Sequence, residues 1–301
     1  MKRIFVRFIC PILLFAGNFM LLGALEMELT GGIDFMTFHP DRKTPHSEPG
    51  NPDNVFSYYP MGLFNFSLRG DINDTLAYSI NLERDKVLQN SINAVFLART
   101  DYFKTEFGPF IGLCDTLDIP DVGIAGSMEA ALPGLVSLTL SGFSTLGTQL
   151  DFTSNNFREG FEVKLRLWLP KILLTVSAGT KNLSISSDEG TLIRCDALTR
   201  LMLSVDIYSK GSPIMLGLDG GHQTYSRTYK QGLGYEITDE LKSFFGGARI
   251  QLNVSESFII KAGIEIPFLV TAERPMTVTG EFLNLLKCNV GFVYTFHGRY
   301  E

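Results

Sequence analysis

The sequence predicts an all-β chain: a transmembrane antiparallel up-and-down β-barrel of about 14 strands, with 12 the main alternative. Three observations predict it. Apolar residues recur at every second position through most of the chain, the connections between these segments run long, short, long, short, and the N-terminus has the layout of an export signal. The composition bounds the class. Of 301 residues, 45% are hydrophobic, 12% aromatic and 19% charged, and the mean hydropathy is +0.13. Yet beyond the N-terminus no apolar run approaches the 18 or so residues of a membrane helix, which excludes a polytopic helical membrane protein. The apolar content excludes disorder, and four cysteines are too few for a disulfide scaffold.

Met1-Lys2-Arg3 and Arg7 give a basic start, residues 8–22 an apolar middle, and Gly23-Ala24 a small-residue site before Glu26 and Glu28. This predicts a signal peptide over 1–24 and a single barrel domain over 25–301. A permanent anchor helix is the competing expectation. Loss of Lys2, Arg3 and Arg7 moves the formal net charge from −6 to −9. An acidic exported chain is not expected to bind nucleic acid.

The strands follow in order. Leu25, Met27, Leu29, Ile33 and Phe35 alternate with Glu26, Glu28, Thr30 and Asp34, and Phe64, Phe66, Leu68 and Ile72 with Asn65, Ser67, Arg69 and Asp71. Leu76, Tyr78, Ile80 and Leu82 stand opposite Ser79, Asn81 and Glu83. The clearest segment sets Phe161, Val163, Leu165, Leu167 and Leu169 against Glu162, Lys164 and Arg166. Leu201, Leu203, Val205 and Ile207 face away from Arg200, Ser204 and Asp206. The pattern continues with Phe244 to Val254 opposite Arg249, and Ile260 to Ile266 opposite Lys261 and Glu265. A period of two is the signature of strands with one apolar and one polar face. Tight breaks fall at Asn73-Asp74, Asp101, Pro133-Gly134, Pro170-Lys171, Gly211-Ser212 and Ser255-Glu256. Longer connections are expected near 39–55, 84–90, 114–120, 147–157, 184–195, 227–241 and 269–285, with a turn or two of helix over 281–287.

A soluble sandwich also alternates. Two things separate the cases. The apolar faces run for about 9–11 residues, the length of a tilted membrane-spanning strand. The opposite faces carry charges of both signs in mid-strand, which a wet lumen tolerates and a dry core does not.

The inward charged positions are the candidate selectivity residues: Arg69, Asp71, Arg99, Lys104, Glu106, Glu162, Lys164, Arg166, Arg200, Asp206, Asp219, Arg249, Lys261 and Glu265. They either line an aqueous pore and screen solutes or pair into a plug, and the sequence leaves both open. Trp168 and Tyr208 at one end, and Tyr58, Tyr59, Tyr225 and Tyr229 at the other, suit interfacial girdles. His222 near Asp219 and Ser226 invites a hydrolase, but alternation puts Asp219 and His222 on opposite faces, so no enzyme is expected. His39 and His46 read as solvated loop residues, and no metal or other cofactor is expected. Cys114, Cys195 and Cys288, an odd number, are expected as free thiols.

In the last segment Val290, Phe292, Tyr294 and Phe296 alternate with Gly291, Val293 and Thr295 up to a terminal aromatic. This resembles the C-terminal assembly strand of Gram-negative-type outer-membrane proteins, although residues 297–301 follow it. The resemblance implies recognition by barrel-assembly machinery and residence in the outer-membrane lipid of a diderm bacterium. In size and loop pattern the chain is similar to the monomeric fourteen-stranded porins, which implies a monomer passing small hydrophilic solutes. The long-chain fatty-acid transporters resemble it less, because no hatch precedes the first strand. A pore-less surface barrel acting through loops 39–55 and 227–241, and an exported soluble β-protein, are the alternatives.

Overall fold

The computed structural model describes residues 25–34, 61–113, 120–145, 154–187, 192–208, 212–231, 235–272 and 287–296. They form β1 (Leu25–Asp34), β2 (Met61–Asp71), β3 (Leu76–Asp85), β4 (Gln89–Arg99), β5 (Phe103–Leu113), β6 (Asp121–Leu132) and β7 (Val136–Thr145). The other half comprises β8 (Ser154–Leu169), β9 (Ile172–Ser187), β10 (Leu192–Tyr208), β11 (Ile214–Gln231), β12 (Tyr235–Ser255), β13 (Phe258–Ala272) and β14 (Lys287–Phe296). Each strand pairs antiparallel with its sequence neighbours, and β1 pairs with β14 from Leu25↔Phe296 to Asp34↔Lys287. The sheet is therefore a closed barrel of fourteen strands, with no free edge.

Its burial is inverted relative to a soluble protein. Phe96, Phe103, Phe107 and Met128 are all more than 60% exposed, and Leu201, Leu218, Phe161 and Val290 more than half. Meanwhile Ser91, Ser137, Ser177, Ser204, Asp196, Gln223 and Arg158 are buried. Burying one large apolar side chain is worth roughly 1.5–3 kcal/mol. A belt this wide facing water would be prohibitive, so its solvent is lipid. That excludes the exported soluble β-protein.

The tight breaks close one end of the barrel. At Asn73, Oδ1 accepts hydrogen bonds from the Thr75 and Leu76 backbone N–H groups at 2.9 and 2.8 Å. This side-chain turn links β2 to β3. Both termini of the described barrel, Leu25 and Phe296, lie at this turn end.

The other end differs from expectation. The 184–195 and 227–241 regions are not simple loops: β9 to β12 run 16, 17, 18 and 21 residues and continue past the apolar belt. Their outward positions there are Thr180, Asn182, Ser184, Thr224, Ser226 and Thr228. The expected long connection at 84–90 is a three-residue turn, 86–88, folded into the barrel. The helical turn expected at 281–287 falls mostly outside the described residues, and Lys287 already belongs to β14.

Candidate functional site: the barrel lumen

The pairing registers place all fourteen predicted selectivity residues on the inner face, and the two ends of the lumen are built differently. At the turn end the charges pair in a partly exposed vestibule. Arg249 bridges Asp219 at 2.6 Å and Asp206 at 2.9 Å, and the Ser204 hydroxyl donates to Asp219 at 2.6 Å. Arg200 donates to Glu265 at 2.6 Å, with its guanidinium 4.1 Å from the Phe245 ring centre. Lys261 meets Glu28 at 2.8 Å, Lys164 meets Glu162 at 3.1 Å, and Arg166 meets Glu129 at 3.6 Å. Lys104 holds Glu106 at 2.6 Å, and Arg99 lies 3.5 Å from Asp71. Arg69 sits close enough for Glu106 to feel its charge.

At the loop end the 86–88 turn crosses the lumen. One oxygen of Asp85 accepts the backbone N–H groups of Val87 and Leu88 at 2.8 and 2.6 Å, and the other takes the Lys181 ammonium at 2.8 Å. Lys181 also reaches Glu83 at 3.0 Å. From the far wall, Arg158 donates to the Leu88 carbonyl at 3.0 Å and the Tyr225 hydroxyl to the Lys86 carbonyl at 3.4 Å. Lys86 pairs with Asp34 at 3.2 Å. Val87 and Leu88 pack on Leu183, Ile185, Tyr225 and Leu241 in an apolar cluster inside the barrel. A left-handed residue, Leu269 (φ 50°), makes a bulge in β13 that re-aims Val270 onto this cluster. Around it lie two buried ion clusters: Arg158 of β8 with Asp121 of β6, and Arg227 of β11 with Arg194 on Asp196 of the adjacent β10. A Cβ at Gly112 would collide with Arg158, so the glycine makes room for the guanidinium.

Asp196 lies above the apolar belt. Burial alone would push its carboxyl up, but the Arg227 and Arg194 guanidiniums more than offset this and hold it below the usual carboxylate range.

Between the ends, among the described residues, lie two adjacent cavities of about 680 and 460 Å³ that share Arg200, Met202, Lys287 and Asn289 in their linings; charged and polar side chains line both, with Val95, Leu198 and Phe143 adding apolar surface to the larger. Charge is uneven around the inner wall. The β1–β6 half carries Glu26, Glu28, Asp34, Asp71, Glu83, Asp85, Glu106, Asp121 and Glu129 against Arg69, Arg84, Lys86, Arg99 and Lys104. The β8–β14 wall carries Arg158, Lys164, Arg166, Lys181, Arg194, Arg200, Arg227, Arg249, Lys261 and Lys287 against Glu162, Asp196, Asp206, Asp219 and Glu265.

Several lumen residues escaped the sequence reading. Arg158, Asp121, Lys181, Asp196, Arg227 and Lys287 continue the inward parity of their strands but lie in stretches read as loop or loop border. Phe110 and Phe143, stacked at 4.6 Å inside the lumen, belong to segments whose two faces are both partly apolar. Tyr225, expected in a girdle, is fully buried in the lumen, because its parity is that of Asp219. Trp168 also has inward parity, and Tyr208 bonds the Leu169 carbonyl at 3.2 Å at the turn-end rim. Tyr58, Tyr59, His39, His46, His297 and Cys114 lie outside the described residues. His222 stands outside, edge-on to Phe244 at 5.1 Å, opposite in parity to Asp219. Cys195 and Cys288 are free thiols on outward positions. Among the described residues no cluster of His, Cys, Asp and Glu has metal-holding geometry. In β14, Val290, Phe292 and Tyr294 face outward and pair with β1.

A closed antiparallel barrel with an apolar outside, a polar inside and tight turns at one end defines a transmembrane β-barrel of the outer-membrane type. No family model and no curated protein matches the chain. Among solved structures it is similar to in-vitro folded OmpT, an outer membrane protein of Vibrio cholerae (9% identity, TM-score 0.43, covering 91% of this chain and 96% of that one). It is also similar to a Pseudomonas aeruginosa FadL homologue (11%, TM-score 0.49, 90% and 88%) and to a bacterial polysaccharide outer membrane secretin (8%, TM-score 0.45, 91% and 98%). At such identities the likeness concerns the fold alone.

Proposed function

We propose that the protein is an outer-membrane channel of a diderm bacterium, exported through a cleaved signal peptide. It passes small hydrophilic solutes passively through a lumen of mixed charge. The observation that carries this reading is the pair of adjacent cavities, about 680 and 460 Å³, lined by charged side chains inside a barrel whose outside is apolar. An excess of acids on one wall and of bases on the other supports it, since a field across a narrow aqueous passage screens solutes by charge and dipole. The 86–88 turn narrows the route at the loop end, so a small resting conductance is expected. The proposed partners are membrane lipid, barrel-assembly machinery acting on β14, and the solutes, with the barrel acting as a monomer.

The test is liposome swelling with the refolded full chain and sugars of increasing size. Entry of a pentose with exclusion of a trisaccharide is expected; equal exclusion of all sugars overturns the channel reading. One observation favours a second reading, a pore-less surface barrel acting through its loops: the same turn, packed on the far wall, closes much of the lumen. Exclusion of every solute by correctly folded protein would support it.

A further inference from the structure

Lys287 opens β14 where that strand meets β1 and β13, in register with Asp34 on one side and Glu265 on the other. Neither carboxylate pairs with it. Asp34 is held by Lys86 at 3.2 Å and Glu265 by Arg200 at 2.6 Å. The Lys287 ammonium makes no hydrogen bond or ion pair with any described residue, although it lines the lumen within the electrostatic reach of Glu265 and Asp34 as well as of Arg200 and Lys86. Leaving an ammonium without a hydrogen-bond partner away from bulk water is costly. Arg200 offers a further donor there: its Nε is buried without a hydrogen-bond partner, and stacking on Phe245 fixes the guanidinium. Lys287, Arg200 and Asn289 each line both cavities, which places them at the neck where the two meet.

We propose that this neck is an anion subsite for a small polyhydroxylated monocarboxylate, a sugar acid, whose carboxylate pairs with Lys287 and accepts from Asn289. One ammonium without a bonded partner selects one anionic group. The larger cavity has the volume for a hexose-sized body, and Asn65, Ser141 and Ser177 on its lining offer donors and acceptors to hydroxyl groups. Glu106 and Glu162 on the same lining disfavour a second anionic group. The assignment rests on the channel reading for the route by which the solute arrives, and not for the binding itself.

The test is calorimetric titration of the refolded full chain in detergent with glucuronate, using glucose as the neutral probe. Saturable glucuronate binding is expected, at least tenfold tighter than glucose. Lys287→Met should weaken glucuronate at least tenfold without changing glucose, and Lys287→Arg should restore most of the affinity. Heat-modifiable gel migration checks that each variant is folded. If Lys287→Met does not fold, Asn289→Ala supplies the comparison, with a several-fold loss expected. No saturable binding by the wild type, or equal affinity in the variants, overturns the subsite. Binding without liposome permeation removes the channel and leaves the subsite; permeation without binding does the reverse.

Discussion

The two ends of the lumen obey one alternation rule and build opposite interiors. At the turn end, Arg99, Lys164 and Arg249 sit in half-open ion pairs. At the loop end, Arg158, Asp196 and Tyr225 are wholly buried around an inward turn. Inward direction alone thus does not make a position wet; what lies across from it does. Where the opposite wall is distant, water enters and charges stay partly solvated. Where the 86–88 turn reaches the β9–β12 wall, water is excluded, and every charge there has to be matched by an opposite one.

The largest expected difference is in stability. Asp121→Ala leaves the fully buried Arg158 guanidinium without its carboxylate, which costs about 3–5 kcal/mol. Arg99→Met breaks a pair whose members are each about a third exposed, and costs less than about 1 kcal/mol. Urea unfolding followed by the fluorescence of Trp168, the single tryptophan, measures both. Equal costs would erase the distinction between the ends.

A smaller effect concerns acid. The Asp196 carboxyl is held below its ordinary value of 3.8 by Arg227 and Arg194. Its contribution is therefore present in full above about pH 4 and is lost as pH falls through the lower folded value. The stability gap between wild type and Asp196→Asn should stay constant from pH 8 to 5 and shrink only in stronger acid. A gap that closes near neutrality would contradict the clamp.

The smallest effect is on selectivity. Lys164→Glu with Arg166→Glu, on the wetter side, should shift the reversal potential toward cations by several millivolts in a salt gradient. An unchanged potential would place these side chains off the permeation path.

Much of this was legible in the residues. Phe161 to Leu169 alternates because lipid faces one side and water the other, and Asn73-Asp74 announces a side-chain turn. The segments 184–195 and 227–241 read as loops for a physical reason. Above the lipid an outward position gains nothing from being apolar, so Thr180, Ser184, Ser226 and Thr228 face outward and the contrast between faces disappears. Val87 and Leu88 were the overlooked signal: two adjacent apolar residues in a polar connection have to be buried somewhere, and here that place is the far wall of the lumen. Their clamps were hidden because Arg158, Lys181 and Tyr225 lie some 70 to 140 residues away in sequence. Lys287 was hidden differently. Its meaning lies in the other partners of Asp34 and Glu265, which no local pattern encodes.

Single-channel recording of wild type against Leu88→Asp in planar bilayers tests the central claim most directly. A carboxylate placed in the apolar cluster has to leave it, releasing the turn from the far wall. The account predicts small, discrete conductance steps for the wild type and steps at least about twofold larger for the variant, from protein that shows heat-modifiable migration in both forms. Two folded barrels with no conductance, or with identical steps, would contradict a polar lumen narrowed by that turn.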